Sequence, residues 1–180
     1  MRQTIRHVIP NGLTCLNLTA GILAILLSSK SVPGIREASL LILIAAFFDF
    51  FDGFLARRWN TVSDLGKELD SLADLVSFGV APVLVAWHGG LIYWGVLGML
   101  VLGGYMISGA LRLARFNLQT PSIVHYRGLP ITAAGLVICI AVLAFSWTLP
   151  PAALMVLVVV LAVLMNAPWS IPRFAGRAKT

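Results

Sequence analysis

Residues 49–74, DFFDGFLARRWNTVSDLGKELDSLAD, hold six of the seven acidic residues of a 180-residue chain. Asp49 and Asp52 stand three apart, which places them on one helical face with Gly53 and Ala56. Gly66, Asp70 and Asp74 recur every four residues and share a face of a second helix. The polar turn RRWNTVSDL joins the two, so the hairpin aims two carboxylates from each helix into one cleft. Four ionised carboxylates at the edge of an apolar region repel one another strongly. Arg57 offsets one charge; Arg58 and Lys67 are expected to face solvent. All-oxygen sites without His or Cys suit Mg²⁺ or Mn²⁺, and two such ions balance four aspartates. Divalent ions clamped by aspartates beside an open cleft are suited to phosphoryl-type transfer. Gly53 and Ala56 leave room there for a ligand against the helix backbone. Two other readings compete: helix caps with surface ion pairs, which suits Asp64 and Glu68, and a cation pathway. Transporters place such carboxylates near the membrane midplane, whereas these stand near one helix end.

The elements that must hold these residues are membrane helices. The chain is 59% hydrophobic and 11% charged, with a mean hydropathy of +0.93, against about 25% charged for a soluble domain. Six apolar stretches of spanning length run roughly over 12–29, 38–57, 68–88, 91–116, 130–148 and 151–169. SVPG, HGG, RGLP and LPP separate several of them. The third is the weakest, because Asp70, Ser71, Asp74 and Ser77 interrupt it. The fold class expected is an all-α integral membrane protein, a six-transmembrane-helix bundle with a short N-terminal amphipathic segment, over 1–180 as a single domain. The basic, apolar start resembles a signal peptide, but Pro10, Asn11 and Asn17 interrupt its apolar run and further spans follow. The net charge of +6 comes without a Lys/Arg run interleaved with aromatics, which excludes nucleic acid as a partner. The lipid bilayer is the expected partner. With six spans, eleven of the thirteen Lys and Arg residues fall on the side of both termini, and only Lys30 and Arg36 on the other. By the positive-inside rule both termini and the aspartate site are cytoplasmic. Cys15 and Cys139 read as small buried hydrophobes. The five tryptophans fall near span ends, as an aromatic belt does.

The spacing D-x2-D-G-x2-A-R-x8-G-x3-D-x3-D, carried here by Asp49, Asp52, Gly53, Ala56, Arg57, Gly66, Asp70 and Asp74, resembles that of the CDP-alcohol phosphotransferases. The resemblance implies a six-helix membrane enzyme, commonly a homodimer, that moves a phosphatidyl-type group from a CDP-linked lipid to an alcohol and releases CMP. It implies Asp49, Asp52, Asp70 and Asp74 as ligands of Mg²⁺ or Mn²⁺, with Asp74 also the general base. Asp70 and Asp74 are thus the candidate catalytic pair. Gly53, Ala56 and Arg57 would contact the CDP moiety. Asp52 and Gly66 belong to the same candidate CDP-lipid set. Asn11 and Thr14 join it if Asn11 faces the nucleotide, although Asn11 as a mere N-terminal cap would look the same.

The family pattern leaves the acceptor open. IPNGLTCLNLTAG, ELDSLADLVSFGVAPV, RLARFN and RGLP are similar to segments of the integral-membrane phosphatidylserine synthases, over about residues 9 to 135. That similarity implies CDP-diacylglycerol as donor and L-serine as acceptor, with glycerol 3-phosphate or inositol phosphate as the alternatives. Arg112 and Arg115, three apart on one helix end, are candidates to fork onto the serine carboxylate; snorkelling to lipid headgroups is the competing reading. Ser71 and Arg127 complete the candidate acceptor set. Ser71 could instead bond its own helix backbone, and Arg127 could simply follow the positive-inside rule.

Overall fold

The computed structural model describes residues 2–29, 32–118, 126–145, 149–167 and 170–171. Among these, seven α-helices form six rods. Helix α1 is Arg2–Ser28, α2 Val32–Arg58, α3 Asp64–Asp74 and α4 Ala81–His88. Helix α5 is Gly95–Asn117, α6 Ile131–Phe145 and α7 Pro151–Asn166. A π-helical turn, Leu75–Val80, fuses α3 and α4 into one rod, and a 3₁₀ turn, Leu91–Trp94, leads into α5. Four rods are long and apolar enough to cross a membrane: Val8–Ser28, Pro33–Arg58, Asp64–His88 and Leu91–Asn117. The fifth and sixth rods are apolar but shorter among the described residues. Large apolar side chains such as Phe47, Val96 and Leu100 point outward, which a hydrocarbon environment accommodates and water does not. The bundle is an all-α membrane fold, as its composition requires.

Small residues set the closest contact. Ala20 and Ala24 of α1 meet Ala38, Ile42 and Ala45 of α2 in one core, all buried, and these two helices pack along most of their length. Backbones approach closely where side chains are small, the usual basis of helix association in lipid. The third rod is the centre of the bundle: 56% of its most apolar stretch is buried, against 28–33% for the matching stretches of the other three long rods. The polar interruptions that made it the weakest span in the sequence face inward.

Four sequence expectations change. The basic lead-in is not a separate amphipathic segment, because α1 runs unbroken from Arg2 through Pro10. Pro10 and Asn11 are therefore helix-interior residues, not a helix start and its cap. Cys15 is exposed on the outer face, while Cys139 is buried. His88, the first residue of the HGG breaker that reads as a loop, closes α4 with its Nδ1 2.9 Å from the Leu84 carbonyl, so it is helical.

The RGLP segment is tied to the end of α7. Gly128 has φ +80°, and a Cβ there would collide with the Met165 carbonyl. The Leu129 N–H donates to the Leu164 carbonyl at 3.0 Å. Tyr126–Arg127 pairs antiparallel with Ser170–Ile171. The Asn166 amide donates to the Ser108 carbonyl at 3.2 Å and also bonds the Ser108 hydroxyl, which itself donates to the Ala162 carbonyl. These contacts hold α5, α7 and the loop together at the end of the bundle that carries the 59–63 turn.

Candidate active site

The aspartates meet because three elements converge. Asn11 of α1 lies beside Gly66 at the start of α3, and Gly21 lies against Ser77 further along. The first and third rods therefore run in the same direction. Ser63 caps α3 by accepting from the Gly66 N–H at 3.0 Å, which fixes where the helix begins and so where Asp70 and Asp74 fall. A Cβ on Gly66 would stand 3.1 Å from Ser63 Oγ and 3.3 Å from Asn11 Oδ1, so glycine is what permits this approach.

Carboxylate oxygens of Asp49, Asp70 and Asp74 lie within 4.8 Å of one another. Asp52 stands beside them, 4% exposed, and its Oδ2 accepts from Thr14 Oγ1 at 2.7 Å. Asp70 and Asp74 each bury an Oδ1 that meets no hydrogen-bond donor. Buried carboxylate oxygens without donors, gathered at this separation, are strongly destabilising unless a cation joins them. The set is all oxygen, which fits a hard divalent ion; Asp49, Asp70 and Asp74 are the residues that would hold it, with Asp52 adjacent.

These side chains line one wall of a cavity of about 700 Å³, a size typical of a site for a ligand larger than a single metabolite fragment. Asn11, Thr14, Gly53, Ala56, Arg57, Gly66, Ser71 and Arg112 line it as well. Gly53 makes room for a neighbouring side chain. A Cβ there would stand 3.3 Å from the Arg57 guanidinium, so the arginine folds back over its own helix toward the aspartates. Lys67, expected to face only solvent, is exposed yet also borders the cavity.

The two arginines of RLARFN diverge. Arg112 lines the cavity, whereas Arg115 Nη1 donates to Asn166 Oδ1 at 2.9 Å. Ser71 Oγ lies 3.2 Å from Asn117 Oδ1 and 3.0 Å from Asn117 Nδ2, and that amide reaches Glu68 at 3.4 Å. For Arg127 the backbone pairing is described, but its side chain lies outside the described residues, as do those of Arg2, Arg6 and His7. Lys30, His125, Trp147, Trp169 and the tail from 172 lie wholly outside them. Sequence reading missed Ser63, Asn117, Thr132 and Phe116, all at or behind the cavity wall. Ser63 had a visible signal, a serine three residues before Gly66 at a helix start; the others depend on which helices become neighbours.

An inward-facing aspartate cluster on a membrane-helix hairpin defines the class. Residues 7–165 match the model of the CDP-alcohol phosphatidyltransferase family, and the chain belongs to that family. It is an integral membrane protein of a family that works with divalent metals. Among curated proteins it is 42% identical over 141 residues to a CDP-diacylglycerol–serine O-phosphatidyltransferase of Bacillus subtilis, covering 78% of this chain and 77% of that one. A protein of the same name from Methanocaldococcus jannaschii is 40% identical over 72% of this chain and 58% of its own length. An archaetidylserine synthase of Methanothermobacter thermautotrophicus is 34% identical over 93% of this chain and 71% of its own.

Proposed function

We propose that this chain transfers a phosphatidyl group from CDP-diacylglycerol to the hydroxyl of L-serine and releases CMP. The observation that carries the reading is the Asp49–Asp70–Asp74 cluster, with Asp52 beside it, on the wall of a cavity that Arg112 also lines. The serine oxygen forms a bond to the lipid-bearing phosphorus. The bond from that phosphorus to the bridging pyrophosphate oxygen breaks, and its electron pair leaves with CMP. Asp74 accepts the hydroxyl proton as general base, with Asp70 beside it as its catalytic partner. The chemistry that Mg²⁺ or Mn²⁺ supplies in such a site is neutralisation of charge on the pyrophosphate and on departing CMP. Arg57, folded over Gly53, binds the phosphates. Asn11, Thr14, Ala56 and Gly66 form the floor on which the nucleotide lies. Arg112 pairs with the serine carboxylate, and Ser71, held by Asn117, contacts the acceptor from α3. Arg115 and Arg127 belong to the acceptor side, Arg115 acting through the Asn166 contact that steadies the end of α5.

The chain works as a single domain and as a homodimer, with both termini and the cavity on the cytoplasmic side. That orientation rests on the eleven-to-two distribution of basic residues.

Purified protein in detergent, given CDP-diacylglycerol and Mg²⁺ or Mn²⁺, should release CMP with L-serine and yield phosphatidylserine. Release with glycerol 3-phosphate or inositol phosphate alone would replace the acceptor. No release with any of the three would remove the enzymatic reading. Asp74→Asn should lower transfer by about 10³-fold; unchanged transfer would exclude Asp74 as the base.

A further inference from the structure

We propose that Tyr105, remote from the substrates, is a positioning residue that holds Asp74 in its working direction through the π turn below it. The proposal rests on the reading of Asp74 as the general base. The third rod is α-helical up to Asp74 and again from Ala81 to His88; between them Leu75–Val80 is a π turn, with the Ala81 N–H bonded to the Val76 carbonyl five residues back. A π turn inserts one extra residue into the helix. An α-helix advances about 100° per residue, so the insertion rotates everything before it by about that angle relative to everything after it. Helix α4 is locked in the core, with Ala81, Pro82, Val85 and Ala86 all buried. The π turn therefore decides the direction in which Asp70 and Asp74 leave the rod. In a plain α register both would turn about 100° away from Asp49.

Pro82 and Tyr105 are what select the π register. In an α register the Pro82 ring would run into the Phe78 carbonyl four positions back and offer it no N–H. Tyr105, fully buried on α5, donates its hydroxyl to that carbonyl at 3.1 Å. Gly135 of α6 presses on the same group: a Cβ there would stand 2.8 Å from the Phe78 oxygen and 3.0 Å from Pro82 Cγ. A buried carbonyl that loses its donor is costly, so the π turn, Pro82 and the tyrosine hydroxyl form one unit. The unit begins at the residue after Asp74.

The experiment reads kcat and KM for CMP release, Mn²⁺ binding by electron paramagnetic resonance, and Tm, all on the purified full chain. Tyr105→Phe should lower kcat by about 100-fold, the effect of misplacing a catalytic group by about an ångström. It should also weaken Mn²⁺ binding and lower Tm, and leave KM for CDP-diacylglycerol nearly unchanged. Adding Pro82→Ala to that variant supplies the missing N–H. Tm should then recover while kcat stays low, because the variant removes the ring that bars the α register and gives the Phe78 carbonyl a donor in it. A merely structural tyrosine would regain kcat together with Tm, and that result overturns the proposal, as does wild-type kcat in Tyr105→Phe. Should Tyr105→Phe alone fail to fold, the double variant decides: low kcat and weak Mn²⁺ binding at a recovered Tm support the proposal, and wild-type kcat overturns it. Wild-type transfer by Asp74→Asn, measured in parallel, would instead remove the reading of the site on which the proposal rests.

Discussion

Thr14 shows how one hydroxyl organises a carboxylate. Its Oγ1 lies 3.1 Å from the Pro10 carbonyl of its own helix and 2.7 Å from Asp52 Oδ2. The donor to a buried carboxylate is the stronger contact, because hydrogen bonds to charged groups contribute about 1.5–3 kcal/mol. Thr14→Val keeps the shape and removes the hydroxyl. Cation affinity, measured by Mn²⁺ titration, should fall about tenfold, equivalent to ~1.4 kcal/mol. Thr14→Ser should restore most of it, and equal affinity in all three proteins would show that the Thr14 bond does not orient Asp52. Thr14 was legible as a candidate from its place one turn beyond Asn11. Its partner was not, because Asp52 lies 38 residues away on another helix.

At the scale of the element, the hairpin of α2 and α3 works because α3 begins at a fixed residue. The Ser63 cap and the glycine at 66 together set that beginning. Ser63→Ala should lower Tm by about 2–4 °C, from ~1 kcal/mol of lost capping. Gly66→Ala should behave differently. A methyl group would crowd Asn11 Oδ1 at 3.3 Å and Ser63 Oγ at 3.1 Å, pushing α1 from α3 at the proposed nucleotide floor. The expected outcome is a KM for CDP-diacylglycerol raised severalfold with Tm nearly unchanged, since alanine favours the helix by about 1 kcal/mol over glycine. A KM equal to wild type would remove Gly66 from the lipid-nucleotide site. The four-residue recurrence of Gly66, Asp70 and Asp74 was visible in the sequence. The π turn after Asp74 was not: it depends on Tyr105 reaching Phe78 from 27 residues away.

For the whole molecule, the testable consequence is sidedness. In a background of Cys15→Ala and Cys139→Ala, a cysteine replacing Trp59 marks the site end of the bundle. One replacing Tyr93, 84% exposed at the opposite end, marks the other. A membrane-impermeant thiol reagent applied to intact cells should label position 93 and spare position 59 until the cells are opened; the reverse pattern would invert the topology. Gly103 and Gly104 have no neighbour within 4 Å of where a Cβ would stand, so among the described residues of one chain no helix packs on them.

The sequence by itself determined that this is a membrane helix bundle, and it offered six apolar stretches and a candidate centre of four aspartates at helical spacing within it. Composition and periodicity are local properties, and a carboxylate in an apolar stretch is costly wherever the chain goes, so both remain visible without coordinates. The tertiary structure alone decided which side chains answer those carboxylates. Thr14 meets Asp52, Arg112 faces the cavity while Arg115 turns to Asn166, and Asn117 holds Ser71. It also decided that the most polar span is the central one, that Pro10 lies within a continuous helix, and that Cys15 faces outward. The physical reason is the same in each case. Helical spacing orders residues around one axis, but the rotation of one helix against the next is set by the close approach of small residues and by single hydrogen bonds between distant segments.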